Sequence, residues 1–252
     1  MIQFNKDQIY IVTGASSGLG EATALLLNEL GATVIGIGRN IERLKGMKAK
    51  CQHPENMFLE SKDLTEDIEG LPKYVKELKE KYGKFSGMAY CAGKLGIYPL
   101  KMLDFDNAIK VFNINYFAPI FMTKGFIDRR NNVGVGASCV YISSMDAIIG
   151  TKGQSVYSGT KAGLIASIKA ISKEVSGQGI RMNCVMPSMI KTSMTIDKFS
   201  NLTGVTEDMQ KESYPFGWGV PNDVANMIVY LLSDKAKFIS GQNYIIDSGG
   251  VL

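Results

Sequence analysis

At 252 residues, with 45% apolar and 21% charged residues, the chain has the composition of a folded globular protein and not of a disordered one. No run reaches the 18 or more apolar residues of a membrane-spanning helix, and the first seven residues lack the basic-then-apolar order of a secretory signal. The 28 basic and 24 acidic residues are interspersed, and a net charge of +4 gives no reason to expect a nucleic acid or a membrane as partner.

The single histidine, His53, stands before Pro54 in a polar stretch, which excludes multi-histidine zinc sites and leaves a Ser-His-Asp triad without support. The four cysteines, Cys51, Cys91, Cys139 and Cys184, form no CxxC pair. Three of them fall in apolar strand-like runs, where a thiol behaves as a small hydrophobe, and a reducing, cytoplasmic location is expected.

Along the chain, short β-branched runs alternate with helical stretches. Strand Gln8–Thr13 passes through a glycine turn into helix Gly18–Leu30; strand Thr33–Gly38 is followed by helix Ile41–Lys50. Strand Asn56–Glu60 precedes helix Ile68–Tyr82, and strand Gly87–Cys91 precedes one long helix, Asp104–Arg129. Strand Ser138–Ser143 leads to helix Tyr157–Ser176, and strand Arg181–Met186 to helix Asn222–Ser233 and a last strand, Asn243–Asp247. This order predicts an α/β fold: a doubly wound, seven-stranded parallel sheet, Rossmann-like, with helices on both faces. Residues 1–252 are expected to form a single domain. The segment Ser188–Gly219 breaks the alternation and is expected to be a lid over a site. Its Met189, Met194, Phe199, Tyr214, Phe216 and Trp218 suggest an apolar lining for a medium-sized ketone, with Lys191, Lys198 and Lys211 turned to solvent.

The first strand runs into Thr13-Gly14-Ala15-Ser16-Ser17-Gly18-Leu19-Gly20. Glycines there allow backbone to approach a pyrophosphate, and the following helix offers free N–H groups at its start. The second strand ends in Gly38-Arg39-Asn40, where an NAD enzyme usually places a carboxylate. Arg39 suits a 2′-phosphate instead, so NADP(H) is expected over NAD(H).

At the start of the fifth predicted helix stands Tyr157-Ser158-Gly159-Thr160-Lys161. Residues i and i+4 share a helix face, so the Lys161 ammonium is expected near the Tyr157 hydroxyl, lowering its pKa toward the working range of an acid-base group. Ser144, thirteen residues before Tyr157, closes the preceding strand, and ligands of parallel sheets sit beyond such ends.

With these motifs in place the chain resembles the short-chain dehydrogenase/reductase family over essentially its whole length. The resemblance implies a cofactor turn at Gly14, Ser16, Ser17, Gly18, Leu19 and Gly20, and an adenine-contacting pair at Asp63 and Leu64. It implies further cofactor contacts at Ala92, Gly93, Pro187, Ile190 and Thr192, together with Tyr157 and Lys161. The implied catalytic set is Asn115, Ser144, Tyr157 and Lys161, with Asn115 holding a water linked to the lysine; Asn113 competes for that role. The family's Asn-Asn-Ala-Gly after the fourth strand is replaced by Tyr90-Cys91-Ala92-Gly93, its Pro-Gly after the sixth by Pro187-Ser188, and its arginine before Gly219 by Trp218. The expected activity is reversible hydride transfer between a nicotinamide and a small-molecule ketone or alcohol. A 3-oxoacyl carrier-protein reductase docking its carrier on Arg129-Arg130 is the alternative, and a non-catalytic NADPH-binding regulator a remoter one. The apolar excess on the fourth and fifth helices (Phe112, Tyr116, Phe121, Phe126; Leu164, Ile168, Ile171) suggests a homotetramer or homodimer.

Overall fold

The computed structural model describes residues 1–250, apart from the side chains of residues 197 and 198. Its centre is a seven-stranded sheet in the order β3-β2-β1-β4-β5-β6-β7, every pairing parallel. The strands are β1 (Ile9–Thr13), β2 (Thr33–Gly38), β3 (Met57–Ser61), β4 (Gly87–Tyr90), β5 (Ser138–Ile142), β6 (Arg181–Pro187) and β7 (Asn243–Ile246). All of β2, β4, β5 and β6 is buried, as their near-continuous apolar runs require when helices cover both faces. One face packs Leu27, Val224 and Ile228 against Val12 and Val140; the other packs Val75, Met122 and Leu164 against Ile11 and Met88.

The helices are α1 (Gly18–Glu29), α2 (Ile41–Lys48), α3 (Leu71–Tyr82), α4 (Phe105–Phe112), α5 (Ala118–Phe126), α6 (Asp146–Ile149), α7 (Ser155–Val175), α8 (Asn201–Thr203) and α9 (Pro221–Leu232). The expected single helix over 104–129 is divided, because a π-helical turn, Asn113–Phe117, separates α4 from α5. Its cause lies partly in Pro119, in the first turn of α5, which has no N–H to donate to a carbonyl upstream. The Ala118 N–H reaches back five residues to the Asn113 carbonyl, so the Ile114 carbonyl has neither helical partner. The buried Tyr90 hydroxyl donates to it at 3.0 Å.

The strand order reverses between β1 and β4, and there the chain ends of the two strands part above the sheet. Thr13 spans the gap: its Oγ1 accepts from the N–H groups of both Cys91 and Ala92, each at 3.1 Å.

The segment 188–219 folds over the carboxyl ends of the strands with a π-helical turn at Met194–Ser200, α8, and a short 3-10 helix at Asp208–Gln210. Glu207 fastens it. One carboxylate oxygen accepts from the Trp218 N–H (2.9 Å), and the other pairs with Lys191 (2.9 Å). Lys191 is therefore an anchor of the segment, where a solvent-directed side chain was expected; Lys211 pairs with Asp208, and the side chain of Lys198 lies outside the described residues. Trp218 is buried under the segment with its indole N–H on Gln210 (3.1 Å), and Phe216 is exposed; neither lines the cleft below. Met189, Met194, Phe199 and Tyr214 do line it. Among the described residues no helix is long and apolar enough to cross a membrane.

Candidate active site

A cleft of about 1570 Å³ crosses the carboxyl ends of the central strands, from Arg39 at one end to Ser144 and Tyr157 at the other. Its floor begins at the glycine turn. Gly14 has φ +68°, and a Cβ on it would lie 2.9 Å from the Ala92 backbone nitrogen, so only glycine allows β1 and the chain after β4 to approach this closely. Ser16, Ser17, Gly18 and Leu19 line the same floor, as do Ala92 and Gly93 opposite. Gly20 does not reach the cleft: a Cβ there would lie 2.3 Å from the Gly14 carbonyl oxygen, and its role is to let α1 pack on the turn.

At one end Arg39, Arg43 and Lys62 line the cleft with Asp63 and Leu64. Arg39 lies 3.7 Å from Asp63, whose Oδ1 also accepts from the backbone N–H (2.9 Å) and hydroxyl (2.7 Å) of Thr65. Burial raises the Asp63 pKa, but the two Thr65 hydrogen bonds and the Arg39 charge outweigh it, and the carboxyl sits below its usual range. Asn40, in extended conformation, caps α2 through the Arg43 N–H (3.0 Å), and Arg39 just before it lines the cleft. These residues fit the adenosine end of a dinucleotide, and the glycine cradle fits its pyrophosphate. Pro187, Ile190 and Thr192 line the cleft on the β6 side.

At the other end, β5 delivers Ser144 and α7 delivers Tyr157 and Lys161. The two elements are pinned together twice: the Ser143 hydroxyl donates to the Lys161 carbonyl (3.0 Å), and Lys161 Nζ donates to the Ile142 carbonyl (2.7 Å). Tyr157 and Lys161 are buried, and burial drives the Tyr157 pKa well above its ordinary value; the Ser144 hydroxyl opposes this and the Asp146 charge adds to it. Burial pushes Lys161 down to about 8, while the Cys184 and Cys91 thiols beside it favour its charged form. The expected Tyr157–Lys161 contact is met only in part. The ammonium lies over the ring, 5.7 Å from its centroid, and is held by a backbone carbonyl.

Asn115 departs from expectation more clearly. It is 1% exposed and sits behind the cleft wall, its amide engaged on both sides by Lys94 (N–H to Oδ1 and Nδ2 to carbonyl, each 2.9 Å) and by Thr160 Oγ1 at 3.3 Å. It braces the chain after β4 against α7. Its Oδ1 and Lys161 Nζ both lie near Gly93, 3.2 and 3.7 Å from where a Cβ would stand. Asn113 and Ile114, on the same π turn, are the residues that line the cleft.

Asp146, which sequence reasoning passed over, also lines this end. Its only sequence signal was position, two residues past Ser144 at a strand end.

The comparisons with known proteins agree with this geometry. A family model described as enoyl-(acyl carrier protein) reductase matches residues 14–250. The chain belongs to the short-chain dehydrogenase/reductase family. Among curated relatives, the 3-oxoacyl-acyl-carrier-protein reductase FabG of Thermotoga maritima is 31% identical, covering 97% of this chain and 98% of its own. The Rickettsia felis protein of the same name is 35% identical over 95% of each. In fold, the chain superposes on a short-chain dehydrogenase/reductase from Brucella melitensis with a TM-score of 0.90 over the full length of both, at 23% identity. Members of this family are oxidoreductases that use a nicotinamide cofactor, and this chain is an enzyme of that kind.

Proposed function

We propose that this family member is an NADP(H)-dependent reductase that interconverts a carbonyl and a secondary alcohol, with Tyr157 as the acid-base group. One observation carries the reading: Ser144, Tyr157 and Lys161 converge on one end of a cleft whose other end is the glycine turn and a cluster of cations. Arg39, Arg43 and Lys62 outnumber the two carboxylates there, Asp63, which is already occupied by Thr65, and Glu66 in the adjoining hollow, and this balance supports a 2′-phosphate over a bare ribose.

When bound, the nicotinamide supplies or accepts the hydride. Tyr157, protonated by virtue of its burial, gives its proton to the substrate oxygen as negative charge develops there. The Ser144 hydroxyl donates to that same oxygen, and its contribution grows with the charge. Lys161 holds a positive charge beneath the tyrosine ring and stabilises the phenolate left behind. Asn115 keeps the Gly93–Lys94 backbone in place opposite Lys161. Screening ketones with NADPH and NADH, followed at the nicotinamide absorbance, tests the reading; no turnover with any ketone or acyl thioester refutes it.

The relatives' names favour a second reading, reduction of a 3-oxoacyl group on a carrier protein. The surface supports it less. Arg130 is already paired with Asp128 at 2.6 Å, and the turn that follows α7, Ser176-Gly177-Gln178-Gly179, is uncharged. Comparing a carrier-bound 3-oxoacyl thioester with its free thioester analogue decides between them. We further propose a reducing, cytoplasmic location, supported by four free cysteines, and a homo-oligomer (tetramer or dimer) formed through the α4–α5 stretch and α7, with Phe105 of α4 and Phe117 of the intervening π turn exposed. Phe126, Leu164 and Ile168 are covered within the chain and contribute nothing to that surface.

A further inference from the structure

The end of the cleft around Ser144 mixes Ile142, Met145 and Ile149 with polar groups, of which Asp146 is a carboxylate that the proposed proton transfer does not use. Asp146 opens α6 directly after Ser144-Met145, and its backbone N–H donates to Ser144 Oγ at 3.2 Å. Its Oδ1 accepts a hydrogen bond from the Thr151 hydroxyl. Among the described residues no lysine or arginine pairs with it. Gln154, 2% exposed and on the same rim, has an Oε1 with no hydrogen-bond partner. A partly buried, unpaired carboxylate is costly to maintain for fold alone, and Thr151 satisfies only part of its capacity.

We infer that Asp146 is a specificity residue that accepts a hydrogen bond from a hydroxyl on the carbon next to the reacting one, so that the preferred substrates are α-hydroxy ketones and the corresponding vicinal diols. This rests on the reading of Ser144 and Tyr157 as the groups that hold the reacting oxygen. Given that, the Asp146 carboxylate stands beside the place of the reacting oxygen, because it lines the same end of the cleft as Ser144 and Tyr157 and its side chain is within hydrogen-bonding reach of the Ser144 hydroxyl. A hydroxyl there replaces the water a carboxylate otherwise keeps, whereas a carboxylate or phosphate in that place meets like charge. The opposite wall, with Met189, Met194 and Phe199, takes the apolar remainder of the substrate. Burial favours the neutral form of Asp146, and Thr151 and Ser144 act against it through hydrogen bonds.

The test compares 1-hydroxy-2-butanone with 3-pentanone, in which a methyl replaces the hydroxyl, and with 2-oxobutanoate, which carries an acid there. The full chain is assayed with NADPH and with NADH. Wild-type protein is expected to favour the hydroxy ketone over 3-pentanone in kcat/KM by about tenfold to a hundredfold. Asp146→Ala should collapse that ratio to near one, whatever happens to the absolute rates. Asp146→Asn, which keeps an acceptor and loses the charge, should retain part of the hydroxyl preference and lose discrimination against 2-oxobutanoate. A merely structural role would lower all three substrates alike and leave the ratios standing, which overturns the proposal. Equal wild-type kcat/KM for the hydroxy ketone and 3-pentanone overturns it too, while leaving the reductase reading intact. Absence of turnover with every ketone and thioester is the different result that defeats both.

Discussion

The Tyr90 hydroxyl holds the Ile114 carbonyl at 3.0 Å, and through it the π turn that carries Asn113, Ile114 and Asn115. The carbonyl needs this donor because the next available N–H is spent on Asn113 and the following residue position is taken up by Pro119. The tyrosine that supplies it is fixed in the core.

Tyr90→Phe keeps the ring and leaves that carbonyl unpaired, at a cost of about 1–3 kcal/mol. Thermal melts should therefore fall by several degrees, and kcat should drop more than the affinity for NADPH. An unchanged melting temperature would mean that water replaces the hydroxyl at the turn.

Tyr157→Phe removes the proposed proton donor. Turnover is expected to fall by about 10²- to 10⁴-fold, while NADPH binding by fluorescence titration stays near the wild-type value. A variant that keeps a tenth of the wild-type rate on a ketone excludes Tyr157 as the acid.

Arg39→Ala should weaken NADPH by roughly 10- to 100-fold and leave NADH almost unaffected, because a charge-assisted bond to phosphate exists in only one of the two complexes. Equal losses for both cofactors would assign Arg39 to stacking on the adenine. The ratio of the two dissociation constants is the readout.

Lys161 links activity to stability. Its folded pKa of about 8 lies below the unfolded value, so the folded state loses stability wherever the group must be charged in both states. That cost is complete below pH 8, shrinks as pH rises, and is gone above the unfolded pKa of about 10.5. Lys161→Met is expected to abolish turnover yet raise the melting temperature of the cofactor-free protein at pH 7, by an amount that vanishes near pH 11. Denaturation of both proteins across that range measures it; a difference independent of pH would count against a buried charge.

Trp218→Ala should act on stability and leave substrate choice alone. The indole is buried within the 188–219 segment and hydrogen-bonded to Gln210, so truncation is expected to cost about 3–5 kcal/mol. The relative rates on long and short ketones should stay as they are, and a selective loss for long ketones would return Trp218 to the substrate wall.

The parallel sheet was legible because strands buried on both faces carry runs such as Ile9-Tyr10-Ile11-Val12, which admit little else between helical stretches. The positions of Ser144, Tyr157 and Lys161 were legible because a strand end and a helix start fix them through the backbone. What failed depended on side-chain direction or on register. Periodicity near 3.6 does not reveal a π turn, so the helix over 104–129 read as continuous. Trp218 and Phe216 lie two residues apart and point to opposite fates, one buried and one solvated, neither toward the cleft. Lys161 had a nearer partner than the tyrosine hydroxyl in the Ile142 carbonyl, and backbone acceptors are invisible in a residue pattern. Asp146 was missed because a lone carboxylate in a loop carries no periodicity at all.

The Thr13 hydroxyl joins two halves of the sheet that do separate jobs. On one side, β1 to β3 present the glycine turn and the cations suited to a nucleotide; on the other, β5 with α7 presents the groups suited to proton transfer. At the level of the cleft, beyond the last β1–β4 pairing, a single oxygen receiving two amides ties these halves together. Thr13→Val preserves the shape and strands both N–H groups, so its first effect should be on the distance between nucleotide and substrate, with the sheet still intact. The alignment on which hydride transfer depends would then rest on a hydroxyl that touches neither partner.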